Sequence, residues 1–388
     1  MMRVLHFLPV YAPAWQFGGP VLSVSRLCEG LVKQGVKVRV LTTNAGLPNL
    51  PSDQLGIPQD INGVEVIYYP IDREAGTIWS HQLVEGLPHH LNWAELLHLS
   101  SIWQPLGLPV QKAAHAAGVP VIQTLRGALG PYSWRRGWLK KIPYYILKEK
   151  PLLQKASALH CTTEQEAFEI KWLGLKSPCH ILANPLDLSR LYCDPHQGEL
   201  FRKALRIPSD QFLFVVAGRL HHKKGLDLLP KALQRIKNKR WHLVVIGDDD
   251  DGTGLSFSRV LSKYNLSQRC HWISSMPSSE LIGPLNASDC LLLPSRHENF
   301  GNIVVEALAC GSAVILSDQV GLSHVLSGCP GVCCAPRDVT TWSKLLDDAI
   351  SSPRPGKYSE QWVKTRFNQA HIAQQSLNLY RKVLLDAN

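Results

Sequence analysis

Nothing in this 388-residue chain approaches the roughly 18–20 uninterrupted apolar residues of a membrane-spanning helix, which argues against a helical membrane span. The opening MMRVLHFLPVYAP has an apolar stretch of only about seven residues and lacks a small-residue cleavage site. It is expected to be a first buried strand rather than a secretory leader. The ten cysteines include no C-x-x-C pair, and the group Cys329, Cys333 and Cys334 has no accompanying histidine pattern. A zinc framework is therefore unsupported, and buried thiols in a reducing compartment are the better expectation. Heptads and internal repeats are also missing, so coiled-coil and solenoid architectures drop out and a monomer or weak membrane-associated dimer is the default. What remains, at 45% apolar and 19% charged residues, is the composition of a soluble globular protein. The length suits two domains of ordinary size.

Apolar runs alternate with helical segments along the whole chain. The first half predicts strands at 4–8, 36–42, 64–69, 95–99, 119–124, 158–161 and 180–183, with amphipathic or alanine-rich segments such as 21–33 and 110–117 between them. The pattern then starts again, with strands at 212–217, 242–246, 271–273, 291–293 and 313–316. Alternation of this kind predicts two doubly wound α/β domains. Between the halves, Asn184-Pro185 favours a turn and marks the boundary.

The net charge of +10 is unevenly spread. Residues 1–125 are nearly neutral, whereas residues 126–185 carry ten basic and four acidic side chains. Arg135, Arg136, Lys140, Lys141, Lys148 and Lys150 interleave there with Trp134, Trp138, Tyr144 and Tyr145. Two readings stay open for 126–155: a surface for an anionic membrane or acidic acceptor, or an ordinary solvated helix. Nucleic acid is not expected, because no nucleic-acid fold signature accompanies the patch.

In open α/β sheets the chemistry gathers at strand carboxyl ends. The most informative end is SRHENFGNIVVEALACG, Ser295 to Gly311, which follows the apolar run CLLLPS. It predicts a strand, a polar turn and a helix capped by Asn302. Amides near Gly301, Asn302 and Ile303 would then form an anion site. Glu298 stands in the turn and Glu306 about one turn into the helix. Carboxylates repel phosphate but accept hydrogen bonds from sugar or ribose hydroxyls. A second end, FLFVVAGRLHHKKG, delivers Arg219 and Lys224, two cations suited to a diphosphate. The run Phe17-Gly18-Gly19-Pro20 follows the first strand, and its glycines let backbone approach a phosphate or sugar closely. The aspartate run Asp248–Asp251 invites a magnesium reading, but with Arg219 and Lys224 nearby a solvated acidic loop is expected instead.

Glu298-x-Phe300-Gly301-(x)4-Glu306 resembles the E-x7-E signature of retaining GT-B glycosyltransferases of family 4. The resemblance covers nearly the whole chain and is strongest from Phe212 to Gly311. It implies two Rossmann-like domains facing across a cleft: residues 1–185 for the acceptor, 186–365 for the nucleotide sugar, and a C-terminal helix, 366–388, crossing back to the first. Glu298 would orient the sugar and Glu306 the ribose. Arg219, Lys224 and the 301–303 amides would hold the diphosphate. Gly18, Gly19, Gly247, Met276, Asn299 and Phe300 complete the implied donor site, with neither metal nor cofactor.

One position departs from the family pattern. Where a histidine usually stands beside the transferring sugar, this chain reads QTLRGALGP and places Arg126. Arginine stays protonated and cannot act as a general base. Arg126 is instead a candidate for binding acceptor or phosphate, and a front-face mechanism lets the leaving phosphate oxygen take the acceptor's proton. His98 is expected to be a satisfied, semi-buried histidine. The implied activity is transfer of a sugar to an acceptor hydroxyl in polysaccharide, lipopolysaccharide or glycolipid assembly, in the cytoplasm or peripherally on its membrane face. A non-catalytic sugar-nucleotide binder and a nucleotide-sugar 2-epimerase remain as rivals.

Overall fold

The structure, a computed structural model, describes residues 1–72, 77–100, 102–135, 137–277, 280–351 and 357–387. Arg136 of the basic segment lies outside the described residues. Two compact units form, Met1–Pro185 with Gln369–Asn388, and Leu186–Asn368.

The first unit contains β1 (Arg3–Val10), β2 (Lys37–Thr43), β3 (Pro58–Ile61), β4 (Val64–Tyr69), β5 (Leu96–Leu99), β6 (Val121–Thr124), β7 (Ala158–Cys161) and β8 (Cys179–Ile181). They make one sheet in the order β3-β4-β2-β1-β5-β6-β7-β8. All neighbours are parallel except β3, which runs antiparallel to β4. The central strands are near-continuous apolar runs because helices cover both faces. Val24, Leu27, Cys28 and Leu31, one stripe of the helix Gly19–Lys33, pack on Val4, Val38 and Val66 of the sheet. The last helix, Gln369–Ala387, adds Ile372, Leu379, Tyr380 and Val383 to the same core. Each such aliphatic side chain contributes about 1.5–3 kcal/mol of burial, which fixes the last helix on this unit.

The second unit contains β9 (Phe212–Ala217), β10 (Trp241–Ile246), β11 (Cys270–Ile273), β12 (Cys290–Leu293), β13 (Ala313–Ser317) and β14 (Val332–Ala335). Its all-parallel order is β11-β10-β9-β12-β13-β14.

Two strands escape the sequence pattern. Pro58-Gln-Asp-Ile is polar and proline-led, which suits an edge strand and nothing more central. Val332-Cys-Cys-Ala is also an edge strand, and its Cys333 and Cys334 are exposed, as are Cys179 and Cys193. The expectation of buried thiols holds only for Cys28, Cys161, Cys290, Cys310 and Cys329.

Each sheet has one place where the chain order reverses. In the first it lies between β1 and β5, in the second between β9 and β12. Crevices open at the carboxyl ends of such strand pairs.

Candidate functional site

In the second unit the expected residues converge on the carboxyl ends of β9, β10 and β12. Gly218 leaves β9 at φ +127° and Gly247 leaves β10 at φ +141°. A Cβ on Gly247 would sit 2.1 Å from the Gly218 carbonyl oxygen, so the two strand ends touch backbone to backbone. Only glycine permits both that contact and that φ. Beyond them, Leu220 N–H donates to the Asp248 carbonyl at 2.8 Å and Asp250 N–H to the Leu220 carbonyl at 3.0 Å. This splice fixes where Arg219 emerges. Its side chain is exposed and stands 3.9 Å from Asp250.

After β12 the chain is anchored before it turns. Ser317 Oγ donates to the Ser295 carbonyl at 2.5 Å. Glu298 N–H donates to the Gln319 carbonyl at 3.1 Å, and Gly321 N–H to the Glu298 carbonyl at 2.8 Å. With its backbone held on both sides, the Glu298 carboxylate meets the Lys224 ammonium at 2.5 Å. Lys224 closes the short 3₁₀ turn His222–Lys224.

The helix here is Asn302–Ala309, and its N-cap is Gly301 at φ +90°, not Asn302. Asn302 is the first residue inside the helix, because a residue that must take positive φ to leave the turn is best a glycine. No side chain caps this end. Val304 N–H donates to the Gly301 carbonyl at 2.9 Å, and the helix start carries the positive end of the helix dipole. Asn302 and Ile303 are half-buried there, and Asn299 half-buried before them. Glu306 is only 4% exposed. Phe300 differs from expectation: its ring is 4% exposed and packs edge-to-face on Phe367, with centroids 6.0 Å apart, so it belongs to the core. What it can offer a ligand is its amide. Met276 lies half-buried three residues past β11, beyond the end of the neighbouring strand.

The aspartate run is exposed, as expected of a solvated acidic loop, but three of its carboxylates are also bonded to the neighbouring chain. Asp248 accepts from Ser275 N–H at 2.9 Å, Asp249 from Leu255 N–H at 2.9 Å, and Asp251 from His222 Nδ1 at 2.7 Å and Thr253 Oγ at 2.5 Å. These bonds hold all three carboxyls below the usual carboxylate range. His221, His222 and Asp251 bring possible ligand atoms within 4.8 Å of one another. The His221 Nδ1 already accepts the Lys223 N–H at 3.1 Å, however. That bond puts the proton of the neutral ring on Nε2, 3.5 Å from Asp251, so a metal would have to break the bond or displace that proton.

The first unit holds Gly18, Gly19 and Arg126. Gly18, at φ +83°, caps the helix that begins at Gly19, two residues earlier than expected. Arg126 follows β6 in a left-handed conformation, φ +53°. The next amide, Gly127 N–H, donates to the buried Glu166 carboxylate, which also takes Thr162 N–H at 2.6 Å. Arg126 Nη1 donates to Ser23 Oγ at 2.8 Å and to Asn184 Oδ1 at 3.4 Å. Burial lowers the guanidinium to about 10. His98 is fully satisfied, as expected: its Nε2 meets Thr124 Oγ at 2.6 Å and its Nδ1 the Tyr380 hydroxyl at 2.6 Å.

Sequence reasoning missed Ser23, Asn184 and Glu166 as the supports of Arg126. The T-x-x-E spacing of Thr163 and Glu166 was a usable signal, since it marks a capped helix start. Nothing local announced the others.

The chain matches the Glycosyl transferases group 1 family over residues 198–369 and the Glycosyl transferase 4-like domain over residues 18–185. It is 27% identical over 259 residues to the D-inositol 3-phosphate glycosyltransferase of Jonesia denitrificans, covering 63% of this chain and 61% of that one. The match thus spans about three-fifths of that relative's length. It is 24% identical over 390 residues to the 2-deoxystreptamine glucosyltransferase of Streptomyces kanamyceticus, covering 94% and 98%. Among solved structures, sucrose-phosphate synthase from Thermosynechococcus elongatus superposes with a TM-score of 0.76 at 21% identity, over the whole of both chains. Anabaena HepE in complex with UDP and glucose gives 0.78 at 16% identity, covering 98% of this chain and 100% of that one. At such identities the structural likeness speaks for fold. Two adjoining family matches of one type, over two parallel-sheet units, make the chain a member of the group 1 glycosyltransferases, with the GT-B fold.

Proposed function

We propose that this chain transfers a sugar from a nucleoside diphosphate sugar to an acceptor hydroxyl, with retention at the anomeric carbon and without a bound metal. The observation that carries the reading is the Lys224–Glu298 pair at 2.5 Å, set at the N-terminal end of the helix Asn302–Ala309. A cation, a carboxylate and first-turn amides in one place suit a ligand that is diphosphate on one side and hydroxylated on the other. Arg219, Lys224 and the 301–303 amides would stabilise charge as the nucleoside diphosphate leaves. Glu298 would accept from the sugar hydroxyls and Glu306 from the ribose. The leaving phosphate oxygen takes the acceptor's proton. The front-face route therefore needs no protein base, and the buried histidines His6 and His160, lowered to about 3 and about 4 by burial, are poorly suited to be one. Uridine is the first base to try, since HepE is seen with UDP.

The test is thermal shift and donor hydrolysis with UDP-, GDP-, ADP- and dTDP-sugars, each with magnesium and with EDTA. One donor should stabilise the protein in EDTA and slowly release its sugar. Binding without release or transfer would favour a non-catalytic binder, and an altered sugar still on its nucleotide would favour an epimerase.

The acceptor is proposed to be met at an anionic membrane face. In the basic segment Trp134, Tyr144 and Tyr145 turn inward, Trp134 packing edge-on against Tyr145 at 5.1 Å. The outward face is aliphatic instead: Leu139 and Leu147 are 70% and 71% exposed, beside exposed Trp138, Ile146, Lys140 and Lys148. Apolar side chains ringed by lysines suit the interface of an anionic bilayer.

A further inference from the structure

The first unit contains a cavity of about 250 Å³ at the carboxyl ends of β1, β5 and β6, the switch point of its sheet. Its walls are apolar, with Val10, Val21, Ile78 and Ile102 among them, and Gln104 and Arg126 supply polar groups. Arg126 is the unusual member. Among the described residues its only hydrogen-bond partners are Ser23 and Asn184, both neutral and both reached through Nη1. Its Nε is enclosed and without a partner. Among the described residues no carboxylate lies within ion-pair distance of it, although Glu166 on the far side of the Gly127 turn lends it some field. Gln104 Oε1 is a second enclosed atom without a partner.

A guanidinium fixed by its turn, bordered by apolar walls and lacking a counter-charge is costly unless something completes it. The turn itself is strained by the positive φ of Arg126. We propose that this cavity is an anion subsite that takes a carboxylate or phosphate attached to a compact hydroxylated or ring-sized group. The anion pairs with Arg126, the rest of the group fills the apolar cavity, and a hydroxyl donates to Gln104 Oε1. The inference deepens the transferase reading, on which it rests, by giving the acceptor a charge class: acidic, with the acid next to a group that tolerates apolar contact.

The test uses the full chain and calorimetry with phenyl phosphate, benzoate and neutral benzyl alcohol. At least one of the two anions should bind 10-fold or more tighter than the alcohol, and which one does so separates phosphate from carboxylate. Arg126→Met should remove that preference, and Arg126→Lys should retain part of it. Equal binding of anion and alcohol by the unaltered protein overturns the proposal without any variant. So does anion binding that Arg126→Met leaves unchanged. UDP affinity, read on the same samples, belongs to the second unit and should be the same in Arg126→Met. A protein that never binds nucleotide yet shows the Arg126-dependent anion preference would sink the donor assignment and leave this subsite standing.

Discussion

Lys224 and Glu298, 74 residues apart in the chain, form a half-buried ion pair at 2.5 Å. The two groups proposed for the diphosphate and the adjoining sugar of one donor thus neutralise each other in its absence. Donor binding must share or open this pair. A pair at this depth is worth about 1 kcal/mol. Glu298→Gln should therefore bind free UDP about threefold to tenfold tighter, by releasing Lys224 for phosphate, while losing transfer and donor hydrolysis. Calorimetry alongside a turnover assay checks both halves. Weaker UDP binding would mean that the pair is structural.

The splice between β9 and β10 makes a steric prediction. Gly247→Ala would push a methyl to 2.1 Å from the Gly218 carbonyl, against backbone that has no rotamer to give. A loss of about 2–4 kcal/mol of stability is expected, together with loss of nucleotide binding. Gly218→Ala meets nothing closer than Lys224 Cε at 3.8 Å, so only its φ is strained and its loss should be smaller. Chemical denaturation of the two variants should rank them in that order.

Stability should depend on pH with two opposed signs. His6 and His160 are held near 3 and near 4 by burial, and His98 is also lowered. The unfolded chain takes up protons below about 6.5 that the folded chain refuses. That stability is complete above about 6.5 and is lost as pH falls toward 4. Glu149, buried against the Trp103 amide at 3.1 Å, is raised to about 7. Folding favours its protonated form, so its contribution is lost as pH rises through 7. Melting temperatures should fall between pH 7 and pH 5. Glu149→Gln should add roughly 1–3 kcal/mol at pH 8 and almost nothing at pH 5.

The exposed aliphatic face gives a prediction with little risk to folding. Leu139→Asp with Leu147→Asp should abolish sedimentation with vesicles containing anionic lipid and leave the melting temperature within about 1–2 °C, because both side chains are on the surface. Replacing Lys140 and Lys148 by Gln should weaken binding to anionic vesicles, and salt should mimic that effect. Sedimentation indifferent to lipid charge and to salt would remove the membrane proposal.

Much of this protein is decided locally, by its sequence. Strands buried on both faces must be apolar runs, so β1, β9, β10 and β12 are legible as such. A glycine between a strand end and an amphipathic stretch marks a turn into a helix, which located Gly301, Glu298 and Glu306. The tertiary structure decided which side chains meet. Lys224 finds Glu298, Gly247 rests on Gly218, and Tyr380 reaches His98 across 282 positions. It also split the basic-aromatic segment, turning Trp134 and Tyr145 inward and leaving Leu139 and Leu147 in solvent. Arg126 shows why. Its residue type was plain, but its lack of a counter-charge depends on Ser23, Asn184 and Glu166, which three other parts of the chain deliver to it. A periodicity reports only the face a residue takes on its own element; its partners follow from the packing of elements distant in sequence.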